Sequence, residues 1–292
     1  MTWLSDFLMR SWESVVTTSY GLLFPALFFL CLGFVVKRKS LFVDIRRALP
    51  ESGLNIQIFV FNLVFTVPVI VVLSTYLSEF WHSTGLVLFA PEDWLDWPIW
   101  LVIVTAIVVG DFVGYWRHRI EHNSFLWPSH AVHHSDTEMS WFSLERFHPI
   151  NRITTFTIDS SALLLLGMPP YAVVANSLVR HYYGFFIHAD LPWTYGRWNV
   201  LFVSPAMHRW HHAADKEAYD SNFATVFGLW DWAFGTHYVP GVCDAPLGVT
   251  DKMERSLWSQ MTYTFRPSAF AHLFRRGKPV VETAETLPEM KA

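Results

Sequence analysis

The chain has 292 residues, enough for one large domain or two small ones. Hydrophobic residues make up 52%, charged residues only 16% and aromatics 17%, with 15 Trp, a balance foreign to soluble domains and ordinary for a polytopic membrane protein. A formal net charge of −4 argues against a nucleic-acid partner, and two cysteines, Cys31 and Cys243, make no disulfide framework.

The first residues carry Asp6 and Glu13 without a basic run, so they do not read as a cleaved leader. Apolar segments follow at 20–36, 56–77 and 98–116, each near the ~20 residues a helix needs to cross ~30 Å of hydrocarbon. Pro98 suits the first turn of the third. A fourth apolar region, 155–187, is broken by Gly167-Met168-Pro169-Pro170, which no unbroken helix accommodates.

Lys37, Arg38, Lys39, Arg46 and Arg47 follow the first segment, and Arg117 and Arg119 the third. The stretch 78–97 has no Lys or Arg but carries Glu79, Glu92, Asp93 and Asp96. The positive-inside rule therefore sets the ends of segments one and three in the cytoplasm. For the histidines on either side of 155–187 to meet, that region must be a hairpin, out along 155–166 and back along 171–188. The expected fold is an all-α integral membrane chain, with about four transmembrane helices or hairpin legs plus a cytoplasmic helical cap carrying the histidines. Its parts are N-terminal membrane helices (1–97), a catalytic region (98–250), and a C-terminal helix and polar tail (251–292). A covering helix is expected over 251–265, with Leu257, Met261 and Phe265 at near-helical spacing. A basic-aromatic stretch at 270–276 and a disordered tail from Gly277 complete the reading.

Histidine carries the chemistry. H-x-x-H-H occurs twice, at His130, His133, His134 and at His208, His211, His212, and H-x-x-x-H occurs at His118 and His122. From composition, about 0.03 copies of H-x-x-H-H are expected per chain, so chance is a poor account of two. Imidazole is the commonest protein metal ligand, and eight exceed the needs of one tetrahedral zinc, which points to two ions sharing a site. His118 and His122 lie one turn apart on one helix face. In each box the first two histidines are expected on one face, with the third diverging by about 100° toward a second ion. His188, ending an apolar leg, is a ninth candidate. His181, two turns earlier, is a tenth candidate or a core histidine. His148 reads as structural or as orienting a ligand. Asp111 either accepts an imidazole N–H or makes a helix–helix contact. Asp136, Glu138 and Asp215 either orient ligands or sit in solvated loops. His82, His237 and His272 have no clustered partners. Asp111, Asp159 and Arg180 lack evident mid-span partners. Tyr182, Phe185, Phe186 and Trp193 are candidates for lining a lateral substrate groove, or ordinary packing residues.

In DFVGYWRHRIEH, SHAVHHSD, ERFHP, FIHADLP, SPAMHRWHH and WDWAFGTHYVP, the sequence resembles the fatty acid hydroxylase/sterol desaturase superfamily of membrane di-iron enzymes. The likeness covers about half the chain, 108–249, and ends on Asp231, Phe234, Gly235, Thr236 and Pro240. It implies that His118, His122, His130, His133, His134, His188, His208, His211 and His212 hold two iron ions. Some members have another histidine one turn before the one matching His188; here that place is Gly184, and His181 lies beyond it. The resemblance further implies O₂-dependent hydroxylation or desaturation of a lipid. The electrons would come from a separate reductase, ferredoxin or cytochrome, because the chain shows no G-x-G-x-x-G or haem signature. Arg209, Lys216, Lys252 and Arg255 are candidates for its docking surface. A zinc hydrolase, disfavoured by the lack of H-E-x-x-H, and a non-catalytic membrane metal protein are the competing readings.

Overall fold

The computed structural model describes residues 3–270, and throughout them the chain is helical apart from turns, irregular loops and one isolated bridge between Ala213 and Leu247. His272, the rest of the 270–276 stretch and the tail from Gly277 lie outside the described residues. α1 (Trp3–Lys37) is followed after a two-residue turn by α2 (Ser40–Phe61). A π turn at Asn62–Thr66 joins α2 without a break to α3 (Val67–Thr84). Pro68 explains the π turn: it has no N–H to give, and its ring would strike a carbonyl one turn back, so the helix widens there.

The continuous run 40–84 differs from the separate segment expected at 56–77. Arg46 and Arg47 lie on α2 rather than in a loop, because α2 is amphipathic. It turns Glu51, Leu54, Asn55, Ile58 and Phe59 inward, a pattern the polar residues hide from a hydropathy reading.

Three helical stretches, 11–37, 40–84 and 99–121, are long and apolar enough to cross a membrane. α4 (Ile99–Glu121) is the third of these and the scaffold of the molecule. Against it pack α6 (Pro149–Leu165) and α7 (Pro170–His188). Their turn depends on Gly167, at φ +60°, where a Cβ would strike the Phe89 carbonyl. Both legs pack on α4 but hardly on each other. They carry Arg152, Asp159, Asn176 and Arg180 and are not among the membrane-capable stretches.

The short helices α5 (Trp127–His134), α8 (Pro205–His211) and α9 (Leu229–Ala233) close over the end of α4. Tyr115, Ile187, Val203, Met207 and Phe223 form the core between them. The helix expected over 251–265 is only α10 (Leu257–Tyr263). Its Met261 packs on Leu54, Ile58 and Val132, joining α2 to α5, whereas Phe265 is exposed. Truncating a side chain as buried as Ile58 to alanine costs about 2–5 kcal/mol.

Candidate metal centre

α4 ends in the cap with His118 buried and His122 as its C-terminal cap residue. Each box forms a helix of barely two turns, started by a proline in its first turn: Pro128 in α5, and Pro205 in α8, where Ser204 caps Met207. His188 ends α7. The folding of these four elements brings nine imidazoles together in two groups.

His118, His122, His130, His134 and His211 form one group, and His133, His188, His208 and His212 the other; in each, the candidate ligand atoms all lie within 4.8 Å of one another. The groups adjoin, with the His134 and His212 rings stacked at 4.3 Å. The pairing expected within each box is reversed. His130 pairs with His134 and His208 with His212, while the middle histidine crosses to the other group. Helix geometry explains this: residues four apart diverge by about 40° around the axis, and residues three apart by about 60°. Each box thus serves both groups.

Within the groups the Nε2 atoms face one another. His118 is 3.0 Å from both His130 and His211, His134 is 3.1 Å from His130, and His188 is 3.1 Å from His208. The outward nitrogens fix what these atoms are. His118 Nδ1–H donates to the Phe223 carbonyl, His211 Nδ1–H to that of Ser221, and His188 Nδ1–H to that of Gly184. Their Nε2 atoms are therefore bare lone pairs, which repel at 3 Å unless a cation lies between them. Metal–nitrogen bonds of about 2.1 Å at right angles set neighbouring nitrogens about 3.0 Å apart, so the donor set fits a metal ion in each group. Burial and neighbouring imidazoles hold His133, His134, His208 and His212 well below the ordinary imidazole value. Burial likewise brings His130 down to about 3 and His211 to about 4. All six are neutral near pH 7, as ligation requires.

The remaining candidates lie elsewhere. His181 faces Glu145 at 3.5 Å and belongs to neither group. Asp111 touches no imidazole; its oxygens accept from Val226 N, Phe227 N and Trp230 Nε1. Asp231 accepts from Phe223 N and Ala224 N, so the two carboxylates clamp the segment that supplies the Ser221 and Phe223 carbonyls. Asp111 reaches the site through backbone rather than directly. Asp136 accepts from Asn55, Ser143 and the Glu138 amide; His148 caps α6 and bonds the Met261 carbonyl. Glu138 pairs with Arg47, and Asp215 caps the turn at Glu217. Arg209 pairs with Asp190 and Arg255 with Glu51, leaving Lys216 and Lys252 as exposed basic positions of the four proposed for docking. Asp159 has partners after all, accepting from both Arg117 and Arg180.

Sequence reasoning missed Asn151, whose Oδ1 lies 3.2 Å from His130 Nδ1. Glu121 is 3.6 Å from the same nitrogen and hydrogen-bonds Arg117. It lies one turn beyond Arg117 at the end of an apolar helix, a visible signal. Arg146 was also missed. It is 1% exposed, bonds Glu51 and Asn55 of α2, and gives its remaining donors to the Val132 carbonyl and to the hydroxyl and carbonyl of Ser135 at the end of α5. There its charge complements the helix dipole of a histidine-bearing element.

A cavity of about 310 Å³ opens on His118, His130, His133, His188 and His208 and extends between α6 and α7. Phe185, Phe186, Tyr182 and Trp193 are not in its wall; Phe185 packs on Trp141 and Leu144 instead. A larger cavity of about 520 Å³ between α1 and α2 touches none of the imidazoles, so size alone does not mark the chemistry.

Residues 103–236 match the family model for fatty acid hydroxylase. Among curated proteins, ornithine lipid hydroxylase OlsE of Rhizobium tropici is 29% identical over 193 residues, 65% of this chain and 55% of that protein. Human alkylglycerol monooxygenase is 29% identical over 133 residues, 45% of this chain and 29% of that protein. Very-long-chain aldehyde decarbonylase GL1-11 of Oryza sativa subsp. indica is 27% identical over 149 residues, 49% of this chain and 56% of that protein. The chain thus spans about half the length, or less, of these relatives. No solved structure matches it.

Proposed function

Because residues 103–236 match the family model for fatty acid hydroxylase, we propose that the chain is a member of that superfamily and a membrane-bound oxygenase that hydroxylates a lipid. In this reading it uses O₂ and electrons from a separate protein donor. The observation that carries the reading is the pair of adjoining imidazole groups with Nε2 atoms turned inward at about 3 Å. The five-histidine group would hold one iron and the four-histidine group the other. An all-nitrogen neutral donor set suits iron, and an iron pair when bound supplies the O₂ activation that breaking an unactivated C–H bond needs.

The protein's own residues do the rest. Phe223, Ser221, Gly184 and Asn151 fix the ring orientations and the tautomers. The cavity between α6 and α7 admits the lipid beside His118, His133 and His188. The cap lies on the cytoplasmic side in this reading, from the basic residues at 37–47 and 117–119.

The test is metal analysis of the purified chain together with lipid profiling of cells grown under ¹⁸O₂. The expected outcome is about two irons per chain and a lipid product carrying one ¹⁸O, absent in His211→Ala. A product lighter by two hydrogens without ¹⁸O would identify a desaturase. Bound zinc and turnover without O₂ would replace the oxygenase with a hydrolase.

A further inference from the structure

The cap presents two kinds of surface. At Lys216, Glu217, Asp220 and Lys252 the exposed side chains are charged, as on a face in water. Beside α4 they are apolar: Trp198, Leu201 and Phe202 in and after the turn Gly196–Val200, and Leu229, Trp232 and Phe234 in and after α9. Trp232 is 61% exposed and Trp198 55%. The two segments form one surface, since a Cβ at Gly228 would strike the Asn199 carbonyl and the Phe202 and Phe227 rings meet at 5.9 Å. Asp231, the acid of this stretch, is fully buried and accepts from the Phe223 and Ala224 amides. Arg197 lies over the Trp198 ring at 5.2 Å. A contiguous exposed apolar patch marks contact with protein or with lipid.

The height of the patch along α4 decides between them. Asp111 accepts from Val226 N, Phe227 N and Trp230 Nε1, which fixes the start of α9 beside it. Phe112 and Trp116, one turn apart on α4, are themselves exposed, and the Phe234 ring packs on both, at 6.2 and 4.8 Å. The patch is therefore held at the level of residues 111–116. At 1.5 Å per residue, that level lies about 18 to 26 Å along the helix from Ile99, where α4 begins. Exposed Trp97 and Trp100 mark the far edge of the membrane there. Hydrocarbon is about 30 Å thick, so the patch falls within its cap-side part, and tilt of α4 would draw it deeper. A protein partner would have to enter the apolar layer to reach it, whereas lipid is already there.

We propose that segments 196–202 and 229–234 are a second membrane contact, lying at the boundary between acyl chains and headgroups. Tryptophan favours that boundary, and Arg197 can bury its stem there while its charge stays among the headgroups. The cap is then sunk into the leaflet rather than held above it. Through Asp231, the segment whose carbonyls orient His118 and His211 is seated against lipid. The contact is independent of the reaction and holds for an oxygenase or a hydrolase.

The experiment places single nitroxide labels on the full chain in phosphatidylcholine vesicles, after Cys31→Ala and Cys243→Ser remove the free cysteines. Labelled positions are Val104→Cys on α4, Phe202→Cys and Trp232→Cys on the patch, and Lys216→Cys and Lys252→Cys on the charged face. Electron paramagnetic resonance reads collisions with O₂, which concentrates in hydrocarbon, and with a water-soluble nickel chelate. The oxygen-to-nickel ratio should be highest at 104, next at 202 and 232, and lowest at 216 and 252. Leu201→Cys and Leu229→Cys carry the same reading should either aromatic replacement lower the metal content. Ratios at 202 and 232 equal to those at 216 and 252 overturn the proposal. So does loss of both collision rates at the patch, which would mark a face covered by protein, such as a second copy. Were 104 itself to read like 216, α4 would not cross the bilayer, and the patch would fall with it.

Discussion

In the group around His118, the outward nitrogens of His118, His211 and His130 meet the Phe223 carbonyl, the Ser221 carbonyl and the Asn151 side chain. In the group around His208, only His188 has such a partner, the Gly184 carbonyl of its own helix. The Nδ1 atoms of His208 and His212 have none among the described residues, and that of His133 has only a weak approach to the Arg146 backbone. That group is held instead by ring contacts: His133 lies flat on Phe147 at 4.5 Å, and His212 on His134. Identical ligand chemistry is thus supported in two ways, by hydrogen bonds that fix tautomer and aim, and by packing that fixes position alone. Each unbonded buried N–H costs about 1–3 kcal/mol. The four-histidine group should therefore be the looser of the two.

The largest effects come from deleting ligands. His208→Ala leaves three imidazoles in its group, and His211→Ala leaves four in the other. Both should reduce turnover more than a hundredfold. Metal analysis should separate them, with His208→Ala near one metal per chain and His211→Ala closer to two. Equal losses would break the contrast between the groups.

Acid should act next, on protein stripped of metal. His130 at about 3 and His211 at about 4 lie below the ordinary value near 6.5. The unfolded chain then binds more protons than the folded one between those values. The contribution is complete above pH 6.5 and is lost as pH falls toward 4, by about 3 kcal/mol for His211. Thermal unfolding of the chelated protein from pH 8 to 4 should show this fall. Metal-loaded protein should resist it, since ligation also excludes protons. A flat profile for the chelated protein would mean that its imidazoles become exposed once the metal leaves.

Smaller still is the effect of a single support. Asn151→Leu removes the one polar partner beyond Glu121 that His130 Nδ1 finds. Metal affinity of the five-histidine group should fall about 10- to 100-fold, with the other group unchanged. Competitive chelation, read as two release phases, checks both halves of that statement.

The clustering histidines were legible because their pattern leaves a local mark: H-x-x-H-H is rare by chance and imidazole has few other uses in such density. Which imidazole joins which group was not, because the 40° and 60° offsets of residues four and three apart differ too little to be settled without the facing helix. The three apolar stretches were legible by length alone, whereas the run 40–84 was not. Its polar residues Glu51 and Asn55 are buried against Arg146, 91 or more residues away. Asp111 was visible as an acid in an apolar helix, but its partners, the amides of Val226 and Phe227, bear no side-chain signature. The same holds for the carbonyls of Ser221 and Phe223, since any residue supplies a carbonyl and only the fold decides which one faces a histidine.

The finest test concerns the packed group. Phe147 stacks on His133 with an interplanar angle of 4° and donates no hydrogen bond to it, so it can only restrict how the ring tilts. An aromatic contact of this kind contributes about 0.5–1.5 kcal/mol, or roughly two- to tenfold in an equilibrium. Phe147→Leu keeps the bulk and loses the flat face. It should therefore speed metal release from the four-histidine group by that factor, while Asn151→Leu leaves that phase alone. The two substitutions should then act additively, since they bear on different groups. If Phe147→Leu slows or quickens both release phases together, the groups are not independently supported. The shared helices α5 and α8, each feeding both groups, would then govern them as one unit.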